Sequence, residues 1–110
     1  MALDVFTPIG GTVALAVGTA TARAALPDPR IGTEDRSLRI LNAGDDTAFV
    51  AFGGSTVAAA VPAHGAPANG IPIPPSHAPE PFRIPPDATH LAAICRSGSA
   101  TLYITLGRGL

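Results

Sequence analysis

The sequence predicts an all-β fold, a small antiparallel β-sandwich of jelly-roll-like type with an extended N-terminal arm and a proline-rich loop. Three observations lead there. Short runs alternate between apolar and polar residues, most cleanly where Leu102, Ile104 and Leu106 are interleaved with Thr101, Tyr103 and Thr105, which is the period of a half-buried strand. Glycine, asparagine and aspartate punctuate these runs at the close spacing of antiparallel sandwiches. Nine of the twelve prolines fall between Pro62 and Pro86, so that stretch cannot supply central strands.

At 110 residues the chain is one domain, able to bury ~65% of its unfolded surface. From the N-terminus, Asp4 to Gly11 reads as an extended arm, because Pro8 and Gly10-Gly11 oppose regular structure. In Thr12 to Ala25, Val13, Leu15 and Val17 face one way. The phase flips after Gly18, predicting a bend and two short strands or one kinked strand. Helix is the alternative for this alanine-rich run; its Thr, Val and Gly content favours strand. Leu26 to Asp35 is a loop around Pro27 and Pro29.

Ser37 to Leu41, Thr47 to Phe52 and Thr56 to Val61 read as a three-strand meander with turns at Asn42 to Asp46 and at Gly53-Gly54. Leu38 and Ile40 share one face of the first of these. In the second, either Val50 with Phe52 or Phe49 points inward. Within Pro62 to Pro86, Ile71 to Ile73 and Phe82 to Ile84 are candidate edge strands, and the rest is polyproline-like loop suited to a contact. Leu91 to Cys95, apolar on both faces, and Thr101 to Leu106 read as a hairpin closed by Ser97-Gly98-Ser99.

Charge and chemistry restrict the function. Charged residues are 14% of the chain and the net charge is −1, a surface prone to associate; the expectation is a homo-oligomer, dimer or trimer. All basic residues are arginines scattered singly at 23, 30, 36, 39, 83, 96 and 108, so no nucleic-acid footprint forms. The N-terminus lacks the basic region of a signal peptide. Ile9 to Leu26, with Arg23, two adjacent glycines and much Thr and Ala, is too weakly apolar for a membrane span.

The sequence nominates no catalytic, cofactor-binding or metal-binding residues. His64, His77 and His90 are evenly spaced but lack the close pairing of metal ligands. Cys95 lies in an apolar strand as a buried thiol, five residues from His90 and on the opposite strand face. Ser76-His77 with Asp87 has no fixed geometry in a loop. Asp45-Asp46 suits a turn and lacks the further oxygens that calcium needs. The chain therefore reads as a non-enzyme.

Residues 37–110 carry a resemblance. Ser37 to Gly53, the Ile71 to Pro75 and Pro81 to Pro86 segments, and Ala88 to Leu110 resemble small virion structural proteins of tailed bacteriophages and prophages, of the head decoration or cement type. The resemblance lies in strand grammar and brings no site residues. It implies a β-sandwich built into the particle, bound to the major capsid protein on the capsid surface after a period in the host cytoplasm; the arm, Ala2 to Gly11, and the proline-rich loop, Pro62 to Pro86, are the candidate contacts. Alternatives are a head–tail connector or tail component, and a carbohydrate-binding module. The last class stacks sugars on exposed aromatic rings, of which this chain has few.

Overall fold

The computed structural model describes residues 7–26, 36–75, 80–85 and 88–108. They form eight strands: β1 (Thr7–Val17), β2 (Ala22–Ala25), β3 (Arg36–Asn42), β4 (Ala48–Gly53), β5 (Ile71–Ile73), β6 (Glu80–Arg83), β7 (His90–Cys95) and β8 (Ala100–Arg108). One four-stranded sheet has the order β1-β8-β3-β6 and the other β2-β7-β4-β5. Every ladder is antiparallel. The pairing is nested, first strand with last, second with seventh, third with sixth, fourth with fifth. Only the β4–β5 connection stays within one sheet, and this wrapping is that of a jelly roll.

Inward-facing side chains come from alternate positions, as the pleat requires. Leu15 and Val17, Leu38 and Ile40, and Leu102, Ile104 and Leu106 of the first sheet meet Val50, Ile73, Leu91, Ala93 and Cys95 of the second. Each large aliphatic side chain in that layer contributes about 1.5–3 kcal/mol by leaving water. Phe52 and Phe82 close one side of the layer with tilted rings whose centroids lie 6.0 Å apart. Of the two orientations open for β4, Val50 and Phe52 point inward, while Phe49 lies over the outer surface against Gly70.

Several expectations are corrected. β7 and β8 are not a hairpin: they lie in different sheets, β7 between β2 and β4 and β8 between β1 and β3. Both strands are central, with both edges occupied, so residues 96–99 form an arch between sheets. Gly98 has the positive φ of 73° that a turn demands, but Asp46 of the neighbouring arch fixes it. The Asp46 Oδ2 accepts from the Ser99 N–H at 3.0 Å and packs where a Gly98 Cβ would stand.

The expected meander dissolves for the same reason, since β3 and β4 also belong to different sheets. Its third member is not a strand: Thr56 to Val61 is irregular. Val57 and Ala59 do turn toward the sheet. The backbone bonds of this stretch go elsewhere, Ala59 N–H to Thr21 Oγ1 at 3.0 Å and Ala60 N–H to Asn69 Oδ1 at 2.9 Å.

In the arm, Thr7 to Gly11 is the first part of β1, which tolerates Pro8 and the glycines through a register shift between Pro8 and Thr12. Asp4 to Phe6 lies outside the described residues. The bend after Gly18 separates β1 from β2, which enter different sheets, and neither is helical. Within the proline-rich stretch, β5 is the expected edge strand, and β6 is an edge strand that starts two residues before the expected Phe82 to Ile84 and ends at Arg83.

Candidate interaction face

The two outer surfaces of the sandwich differ. That of the second sheet is covered by the chain itself. Residues 54–70 fold across β4 and β7, burying Ala59 against Ala51 and Ala92, with Val57 and Ile94 beside them. Arg23 donates to the Val57 carbonyl at 3.2 Å and Arg96 to the Pro62 carbonyl at 3.0 Å. Asn69 donates to the Ala58 carbonyl at 2.9 Å, and Gly70 N–H to the Ala60 carbonyl at 3.1 Å. A side chain at Gly70 would collide with that carbonyl. The first half of the proline-rich stretch thus serves as a cover for the domain's own sheet.

The outer surface of the first sheet is open over Thr12 to Ala16 and around Tyr103, while Ser37 and Gly107 on the same face are buried. Registry sets its residues in rows: Ala14, Tyr103 and Leu41 form one, and Thr12, Thr105, Arg39 and Pro81 another. Thr12, Ala14, Ala16, Pro81 and Tyr103 are exposed, Tyr103 to 42%. Thr12 and Thr105 join hydroxyls at 2.8 Å, a cross-strand contact that stiffens the surface. Among the described side chains of this face, Arg39 alone is charged. Strand alternation places Thr12, Ala14, Ala16 and Thr105 outward, with the exposed Tyr103 between Ala14 and Leu41 in its row.

Among the described residues, those weighed as possible chemistry do not converge. His64 is exposed on the covering segment. His90 opens β7, its Nδ1 2.8 Å from the Thr89 hydroxyl. His77, Ser76 and Asp87 lie outside the described residues. Cys95 is buried at the far end of β7 from His90; burial, and secondarily the Asp46 carboxylate, pushes its thiol pKa up, the reverse of what a nucleophile needs. Among the described residues no three His, Cys, Asp or Glu side chains gather as metal ligands, and no helix is long and apolar enough to cross a membrane.

One depression of about 290 Å³ lies where the two arches meet, lined by Asp46, Thr47, Phe49, Arg96 and Ser97. Its two charged side chains are already engaged with backbone, Asp46 at Ser99 and Arg96 at Pro62.

Sequence reasoning missed the structural role of Asn42, as it missed those of Thr21 and Asn69. The Asn42 side-chain amide donates to the carbonyls of Asp46 at 2.9 Å and Ile73 at 2.8 Å, and its Oδ1 accepts from Gly44 N–H at 2.9 Å. The signal was the asparagine two places before a glycine, which fits an Asx turn; the link to β5 depends on tertiary packing. In comparisons with known proteins, the chain matches no described family, no curated protein and no solved structure.

Proposed function

We propose that this protein is a non-enzymatic virion structural protein, a capsid decoration or cement protein that binds the major capsid protein and stabilises the head. The observation that carries the proposal is the asymmetry of the sandwich: residues 54–70 cover β4 and β7 on one outer surface, and the other exposes a face around Tyr103. A face whose described side chains include Arg39 as the one charged group suits a contact repeated many times over a shell, where long-range repulsion between copies must stay small. The strand grammar of residues 37–110 points the same way. Jelly rolls also serve lectins and cupins, so the fold supports the proposal only by analogy.

The test uses purified protein and shells assembled from the capsid protein of the same particle. The protein should co-sediment with the shells to saturation at a fixed ratio to capsid subunits and raise the temperature at which they disrupt. Tyr103→Glu should weaken binding at least tenfold, while His64→Glu, on the covered side, should leave it unchanged. Absence of co-sedimentation, or equal effects of the two variants, overturns the proposal. Counting copies in whole particles separates it from a head–tail connector or tail component, present at few copies rather than hundreds. The exposed Tyr103 ring favours one further reading, a carbohydrate-binding module, which predicts saturable oligosaccharide binding lost in Tyr103→Ala.

A further inference from the structure

We propose that β1 is a self-pairing edge, through which two copies of this chain join their first sheets into one continuous eight-stranded sheet. The proposal is independent of the capsid function and stands or falls by its own test.

Each sheet has two edges, and an exposed edge carries a row of unpaired backbone groups that natural proteins blunt with charge, proline or brevity. Three of the four edges here are blunted. β2 has four residues and carries Arg23, β5 has three residues and contains Pro72, and β6 has four residues and contains Glu80 and Pro81. β1 is different. It spans 11 residues, and beyond the register shift near Pro8 its segment Thr12 to Val17 has neither charge nor proline. Thr12, Ala14 and Ala16 are exposed, and Val13, which faces the core, is only half-buried.

The occupant follows from the pattern. Antiparallel pairing of β1 with its own copy about a two-fold axis at Ala14 sets Ala14 opposite Ala14, Thr12 opposite Ala16, Val13 opposite Leu15 and Gly11 opposite Val17. Each pair couples residues of the same face, so the core layer and the open face both run unbroken across the junction. Only small or β-branched residues meet on the outer face, and no like charges oppose each other. The net charge of −1 per chain adds little repulsion. Isologous two-fold contacts of this kind are the commonest way soluble chains pair. The partially exposed Val13 gains cover from the partner's Leu15.

The test reads mass and registry. The wild-type protein should sediment at twice the 11.0 kDa protomer mass. Ala14→Glu opposes two carboxylates across the axis and should give a folded monomer with unchanged far-ultraviolet circular dichroism. Ala14→Cys places the paired Cα atoms ~4.5–5.5 Å apart, within disulfide reach, and should cross-link under mild oxidation. Ala16→Cys leaves the two thiol positions about 13 Å apart and should not, whereas Thr12→Cys combined with Ala16→Cys should. The native Cys95 is buried, so unaltered protein serves as the uncross-linked control. A monomeric wild type overturns the proposal, as does a dimer that Ala14→Glu leaves intact, or cross-linking of Ala16→Cys as fast as Ala14→Cys.

Discussion

Asn42 is a buried polar side chain on which the local architecture depends. It is 2% exposed, closes the β3–β4 arch with two hydrogen bonds and ties it to β5 with a third. Asn42→Asp keeps the acceptor for Gly44 but removes both donors and turns a carboxylate toward two carbonyls. It should destabilise the fold by about 2–4 kcal/mol, read as a lower urea midpoint at unchanged slope. Cys95 gives a prediction in pH. Its thiol pKa is raised by burial and then by Asp46, so the folded state holds the proton more tightly than the unfolded chain. The associated stability is intact below the ordinary thiol value of 9.0 and is lost as pH rises through the higher folded value. Denaturation curves on either side of that pH should show a steeper alkaline loss in wild type than in Cys95→Ala, which lacks the titrating group.

For single elements, legibility divides sharply. Facing was legible, because period-two alternation reports which side chains enter the core: Leu38 with Ile40, Leu102 with Ile104 and Leu106, and the phase change at Gly18 all lie as expected. Partnership was not. Ser97-Gly98-Ser99 offers the same local chemistry to a hairpin and to an arch, and the choice is made by β2, β4, β1 and β3, which already flank β7 and β8. The open face could not be read either, since Thr12, Tyr103 and Arg39 come together only through the β1-β8-β3 order. Residues 54–70 show the opposite error: Val57 and Ala59 alternate like a strand, yet side chains of Thr21 and Asn69 take the place of a ladder. Asn69 accepts from Ala60 and donates to Ala58. Asn69→Ala should therefore raise amide exchange across residues 57–63 well above that of β4 and β7, with a global loss of about 1 kcal/mol.

For the whole molecule, nested pairing makes nearly every ladder join residues far apart in sequence, from Phe49 with Pro72 to Thr7 with Arg108. Chains dominated by such non-local contacts fold slowly, on the order of milliseconds to seconds. Stopped-flow circular dichroism should find refolding in that range, and a microsecond phase carrying the full amplitude would contradict the nested topology. The same arrangement has a biosynthetic consequence. β8 fills the gap between β1 and β3, yet it is translated after the other seven strands, so the first sheet stays split on the ribosome. Until β8 emerges, the facing flanks of β1 and β3 lack the strand that joins them, and a messenger truncated before Ala100 encodes a first sheet in which β1 has no link to the β3–β6 pair.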